Sequence, residues 1–299
     1  MKPEKPKNQP ANHSQHNYDF SKLCNAYAPL TEYVYKNKYQ TETVDFSNPK
    51  AVKALNTAIL FANYKITFWD FPEGNLCPPI PGRLAYIHQL AKLLKSSSIS
   101  KNSTLLDIGT GASGIYPILG NAEYGWQFVG TDIDKKSLKS AQQIIDKNNL
   151  SKSISLRYQP EKSKVLKGII LPTDTFAASL CNPPFYSSKE EAFAATKRKL
   201  KGLGKNTAFV RNFSGTHHEL WYKGGEIAFI ANYARESVLF QKQCNWFTAL
   251  VSKKENIRPL KVLLKKLKTT TVKTITMQQG NKNTRILAWT FLPEPAIKY

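Results

Sequence analysis

The feature that most constrains the fold is a recurring order of patterns that begins at Ser103. "STLLDIG" is a short apolar run closed by a glycine-rich turn. "WQFVGTDID" is a second, followed by the helical periodicity of "KKSLKSAQQIIDKNNL". "SISLRY" and "DTFAASLCN" read as third and fourth strands, "WFTALVSK" as a fifth and "ENIRPLKVLLKKLK" as a helix. "TTVKTITMQQGNKNTRILAWTFL" reads as a closing hairpin that turns near Gly280 and Asn281. Strands separated by helices pair in parallel, because each crossover returns the chain to the same end of the sheet. The pattern predicts an α/β, Rossmann-like doubly wound sheet with an antiparallel hairpin at its end. Ligands are expected at the carboxyl ends of its strands.

Two segments precede this unit. Residues 1–16 are rich in Lys, Asn, Gln, Pro and His and cannot bury a core; they read as a disordered basic tail, with a loose arm on phosphates as the functional version. Residues 17–101 carry helical spacing in "PKAVKALNTAILFANY" and "RLAYIHQLAKLLK", which predicts an N-terminal helical extension packed on residues 102–299. Lys and Arg number 43 against 21 Asp and Glu, a formal charge of +22. That excess calls for a polyanionic partner, nucleic acid or an anionic membrane surface. No run approaches the roughly 18 apolar residues of a spanning helix, and "MKPEKPKNQPANHSQHNYDF" lacks the apolar stretch of a signal peptide. A cytoplasmic protein is expected. The four cysteines, Cys24, Cys77, Cys181 and Cys244, include no CxxC, so reduced thiols are expected and no metal site.

"LLDIGTGASG" matches GxGxxG through Gly109, Gly111 and Gly114, a turn that lets backbone approach a ligand closely. Alone, the match serves dinucleotide oxidoreductases equally well, and a plain packing turn competes with both. Asp107 precedes the glycines, where S-adenosylmethionine enzymes carry an acid near the methionine amino group. Asp132 ends the second strand, where a carboxylate takes hydrogen bonds from ribose hydroxyls. Then comes "SLCNPPFYSS": Asn182, Pro183, Pro184 and Phe185 directly after the fourth strand. Two prolines hold the chain stiff and extended. Hydride transfer has no use for such a shelf, but an exocyclic amine does. Its lone pair is delocalised into the ring, and two acceptors, the Asn182 side-chain oxygen and the Pro183 carbonyl, draw the nitrogen toward tetrahedral geometry. Phe185 stacks on the flat base. Methyl transfer from a sulfonium needs positioning more than a strong base. The terminal hairpin is also the usual ending of class I methyltransferases.

With those residues in place, "LCPPIPGRLAYIH", "LLDIGTGASGIYPILG", "YGWQFVGTDID", "LCNPPFYSS", "ELWYKGGEIAFI", "WFTALVSKKENI" and "MQQGNKNTRILAWTFL" resemble the bacterial 23S (large-subunit) ribosomal RNA adenine-N6 methyltransferases. Eukaryotic relatives methylate small nuclear RNA and messenger hairpins. The resemblance runs from about Tyr18 to Leu292, and "PPIPGR" and "ELWYKGGE" are its most particular segments. It implies a class I fold, S-adenosylmethionine as cofactor, and 23S ribosomal RNA or a large-subunit precursor as partner. It also implies that Arg83 reaches the cofactor carboxylate, Gly109 hugs the cofactor, Ser113 makes a polar contact beside it, Asp132 holds the ribose and Ser163 touches the adenine. Asn182, Pro183, Pro184 and Phe185 would be the catalytic shelf. The relatives' glutamate and cysteine are replaced here by Asp132 and Gly114.

"KRKLKGLGK" follows the shelf, and Lys197, Arg198, Lys199, Lys201 and Lys205 are candidates to grip phosphates beside the target base; a solvated charge run is the plainer reading. The lysines of "KKENIRPLKVLLKKLK" face outward if Leu260, Leu263, Leu264 and Leu267 face the core. His217 and His218 have no ligand pattern around them. His88 reads as structural and Trp221 and Trp246 as core or wall residues, while Glu226 is explained as well by a structural hydrogen bond as by chemistry. The competing functions are methylation of another planar amine (guanine N2, DNA adenine N6 or protein glutamine) and non-catalytic RNA binding. No membrane partner is expected, and a monomer is the expected state.

Overall fold

The computed structural model of the chain describes residues 18–96, 103–191, 193–194, 220–279 and 282–293. The basic run with Lys197, Arg198, Lys199, Lys201 and Lys205, the tail 1–16, the His217–His218 pair and the Gly280–Asn281 turn lie outside them.

The extension begins with α1 (Phe20–Ala26), capped by the Asp19 side chain on the Lys22 amide. A small antiparallel pair follows, β1 (Val34–Lys36) and β2 (Glu42–Val44). Sequence pattern missed this pair because strands so short show no alternation. Next come α2 (Pro49–Tyr64) and α3 (Ile80–Ser96). Asn48 caps α2 with Pro49 in its first turn, where the missing N–H costs nothing.

The sheet is built from β3 (Thr104–Ile108), β4 (Gln127–Asp132), β5 (Ile154–Tyr158), β6 (Phe176–Cys181), β7 (Cys244–Val251), β8 (Thr271–Gln279) and β9 (Lys282–Thr290), in the order β5-β4-β3-β6-β7-β9-β8. The first five strands pair in parallel and β9 and β8 join antiparallel, as the sequence pattern predicts. Between them run α4 (Ile115–Tyr124), α5 (Lys135–Lys147), α6 (Gly225–Ser237) and α7 (Ile257–Lys266).

Alternation along each strand splits the core in two. Leu105, Ala178, Trp246 and Ala288 face one side, where they meet the extension, α3 and α4. Leu106, Phe247, Leu287 and Trp289 face the other, against α6 and α7, where Leu260 and Leu264 are buried. The extension therefore shares a core with the sheet and is tied to it by polar bonds. Asn148, at the end of α5, accepts from the Thr67 and Phe68 amides at 2.8 and 3.2 Å and donates to the Phe68 carbonyl at 2.6 Å. Among the described residues no helix is long and apolar enough to cross a membrane.

Candidate active site

β3 delivers the chain into the glycine turn at the sheet's carboxyl edge. The Gly109 and Thr110 amides both donate to the Thr131 carbonyl at 2.9 Å, so the turn folds back over the end of β4. Gly109 and Gly111 have φ of +76° and +66°, a region costly to residues with a Cβ. A Cβ on Gly109 would project into open space, which is the space a ligand needs. Asp132 completes the turn: its Oδ2 accepts from the Gly111 amide and its Oδ1 from the Asp134 amide, each at 2.9 Å. Each oxygen keeps a lone pair for a ribose hydroxyl. Burial pushes the Asp132 carboxyl above its usual range, while those backbone amides pull it down. Farther along, Ser140 Oγ donates to the Ala112 carbonyl and Trp69 Nε1 to the Ser113 carbonyl, both at 3.0 Å. The last bond comes from the extension.

Over this turn lies a cavity of about 510 Å³. Arg83, Gly109, Gly111, Ser113, Asp132, Ser163, Asn182, Pro184 and Phe185 all line it, so residues spread over a hundred positions meet in one place. Two expected site residues stand behind its wall: Pro183 and Asp107 are buried and do not line it. Neither Asp107 oxygen has a partner within good hydrogen-bond geometry among the described residues, the Thr110 hydroxyl being near but poorly aligned. Burial pushes its carboxyl up to about 7, opposed by the nearby Thr110 hydroxyl, reinforced by Asp132 and opposed again by Arg83. A buried carboxylate without a partner suits the ammonium of an amino-acid moiety.

Arg83, in the first turn of α3, also lines the cavity. Its Nη1 donates to Tyr116 Oη at 3.0 Å, and its guanidinium lies 5.3 Å from the Tyr116 ring centroid. Burial pushes that phenol up to about 12, with Arg83 opposing. Arg83 Nε is buried and has no hydrogen-bond partner among the described residues, a donor that a carboxylate would satisfy. An acid and a guanidinium nitrogen without hydrogen-bond partners among the described residues, the Asp132 carboxylate at the cavity wall and a cradle without a Cβ fit S-adenosylmethionine.

The shelf leaves β6, every residue of which is buried. The Asn182 carboxamide lies against the Arg83 guanidinium, and only with its Oδ1 turned toward that guanidinium are donors and acceptors matched, Nη1 and Nη2 then donating to it at 3.3 and 3.2 Å. Beyond Phe185, Tyr186 pairs with Trp221 in an isolated parallel bridge, with Tyr186 N donating to Leu220 O at 3.1 Å and Tyr222 N to Tyr186 O at 3.0 Å. This bridge brings Trp221, Tyr222 and Phe229 to the cavity wall beside Phe185. Tyr86 of α3 supports the shelf from below: its hydroxyl meets Thr248 Oγ1 at 2.8 Å and accepts from the Cys181 amide at 3.4 Å.

Sequence reasoning missed a carboxylate that holds one of the remaining walls. Glu236, buried near the end of α6, accepts from the Val165, Leu166 and Lys167 amides at 2.8–3.1 Å. Asn232, one turn earlier, donates to the Ser163 carbonyl at 2.8 Å, so α6 carries the loop expected beside the adenine. Glu226 is structural: it accepts from the Ser252 and Lys253 amides and from Asn256 Nδ2 at the exit of β7. His88 pairs with the Tyr124 hydroxyl at 2.8 Å, away from the cavity.

A seven-stranded sheet ending in an antiparallel pair, with this pocket at its switch point, defines a class I S-adenosylmethionine-dependent methyltransferase. Residues 3–293 match the family described as RNA methyltransferase, and the chain belongs to that family. It is 50% identical over 293 residues to the ribosomal RNA large subunit methyltransferase F of Shewanella baltica, covering 94% of this chain and 80% of that protein. The N-terminal domain of human METTL16 in complex with SAH is similar in structure, with a TM-score of 0.75 and 27% identity over 94% of this chain and 97% of that one. The human METTL16 catalytic domain in complex with the MAT2A 3′UTR hairpin 1 gives 0.77 and 28%, over 97% and 100%.

Proposed function

We propose that the protein methylates N6 of one adenosine in the RNA of the large ribosomal subunit. The observation that carries this reading is the near full-length likeness to a large-subunit ribosomal RNA methyltransferase. The position of Asn182 and Phe185 on the same cavity wall as the glycine turn agrees with it.

When bound, S-adenosylmethionine supplies an electrophilic methyl on a sulfonium whose leaving group departs neutral. The chain's own work is placement. Asp132 takes the ribose hydroxyls and Arg83 the carboxylate, Asp107 favours the amino group through its charge from behind the wall, and Ser113 and Ser163 flank the nucleoside. Asn182 Oδ1 and the Pro183 carbonyl accept the two N–H groups of the target amine and localise its lone pair; Pro184 stiffens the shelf. Phe185 holds the plane of the base. An adenine reaches the shelf only when unstacked, so the target lies in a loop or opened helix. Lys197, Arg198, Lys199, Lys201 and Lys205 follow the shelf in sequence, and their proposed role is to neutralise flanking phosphates, making binding fall steeply with salt. The test is mass mapping of large-subunit RNA from cells with and without the protein. The expected result is one N6-methyladenosine that disappears; loss of an N2-methylguanosine, or no change, overturns the reading.

A further inference from the structure

We propose that Arg83 is a positioning residue for the transfer step itself, because it fixes the orientation of the Asn182 carboxamide; this rests on the reading in which Asn182 Oδ1 accepts from the base's amine. A carboxamide has two orientations of equal shape and opposite hydrogen bonding. With Oδ1 toward Arg83 it accepts from Nη1 at 3.3 Å and Nη2 at 3.2 Å. Turned over, its NH2 would meet the guanidinium donor to donor. A carboxamide oxygen has two lone pairs, and in this orientation the amine takes the one that the guanidinium does not.

The guanidinium is itself anchored. Nη1 also donates to Tyr116 Oη at 3.0 Å, and Tyr116 packs edge-on against Tyr86, ring centroids 5.5 Å apart. Tyr86 in turn supports the end of β6 through the Cys181 amide. Asn182 occupies the Nη1–Nη2 edge, while Nε is buried with no hydrogen-bond partner among the described residues. The fork of five donors can therefore hold a carboxylate through Nε and Nη2 and the carboxamide through its other edge at once. One side chain serves both the donor and the acceptor.

If so, losing Arg83 costs turnover as well as donor affinity. The two are separated with decarboxylated S-adenosylmethionine, a methyl donor that has no carboxylate for Arg83 to bind. The full-length protein is assayed on ribosomal RNA from cells lacking it, with both donors. Arg83→Met is expected to lower kcat at saturating donor by about tenfold or more with either donor, the worth of one charge-assisted hydrogen bond. Arg83→Lys, which keeps one donor, should recover part of it. A loss confined to KM, or one that vanishes with the decarboxylated donor, overturns the proposal. Independently of activity, the Asn182 side-chain NH2 pair is followed by NMR without donor or RNA, assigned by its absence in Asn182→Ala. It should move in Arg83→Met while the backbone spectrum is preserved; an unmoved pair overturns the proposal. Should the wild-type protein methylate no ribosomal RNA with either donor, the functional reading fails, and the NMR arm still decides the Arg83–Asn182 contact.

Discussion

In the donor half of the cavity, the backbone of the glycine turn is bonded at Gly109, Thr110, Gly111, Ala112 and Ser113; among the described residues the acceptor half is braced by Arg83, by Tyr86 and by the Tyr186–Trp221 bridge. The difference follows what each half must admit. The donor is the same small molecule in every cycle, so a rigid cradle pays its ordering cost at folding rather than at binding. The acceptor is one base of a large RNA that must enter and leave. Its shelf is stiff through covalent geometry, two prolines. Rigidity in the first half comes from hydrogen bonds and in the second from proline rings.

Breaking the donor half at its most connected residue should have the larger effect. Asp132→Ala leaves the Gly111 and Asp134 amides without an acceptor and removes the ribose contact. Two lost hydrogen bonds to the ribose at about 1–1.5 kcal/mol each amount to roughly a hundredfold weaker donor binding by calorimetry. Weakening below about threefold would mean that the ribose is not held by this carboxylate.

A smaller effect sharpens the comparison through the donor-half acid that has no well-aligned partner among the described residues. Burial raises the folded-state value of Asp107 from 3.8 to about 7. Between those values the unfolded chain has released a proton that the folded chain keeps. Its contribution to stability is therefore full at the acid end of that window and declines as pH rises, to be lost above about 7, on the order of a few kcal/mol in all. Asp107→Asn, neutral and equal in size, should flatten this part of the stability-versus-pH curve in denaturant titrations. An unchanged slope would place the titration elsewhere.

Much of this was legible in the sequence, for physical reasons. Apolar runs and helical periodicity report burial directly, and a glycine turn followed by an acid is local in the chain. The shelf was readable because Pro183 and Pro184 set the backbone by themselves. What stayed hidden is non-local. Glu236 looks like an ordinary charged position in "GEIAFIANYARES", yet it is buried and takes three consecutive backbone amides of another loop. Trp69 and Tyr86 read as core aromatics of the extension, although their polar tips brace the glycine turn and the shelf. Nothing in "PPIPGR" marks Arg83 as a partner of Asn182, since that contact exists only once α3 is packed beside the end of β6.

The most direct measurement is the division of labour at Asn182, read as turnover on ribosomal RNA and donor affinity by calorimetry in Asn182→Ala. The account predicts turnover lower by about 10²–10³-fold, the usual cost of removing one directed hydrogen-bonding group from a transition state, with donor affinity within about threefold of wild type. Donor affinity lost in step with turnover, or turnover retained, would contradict it.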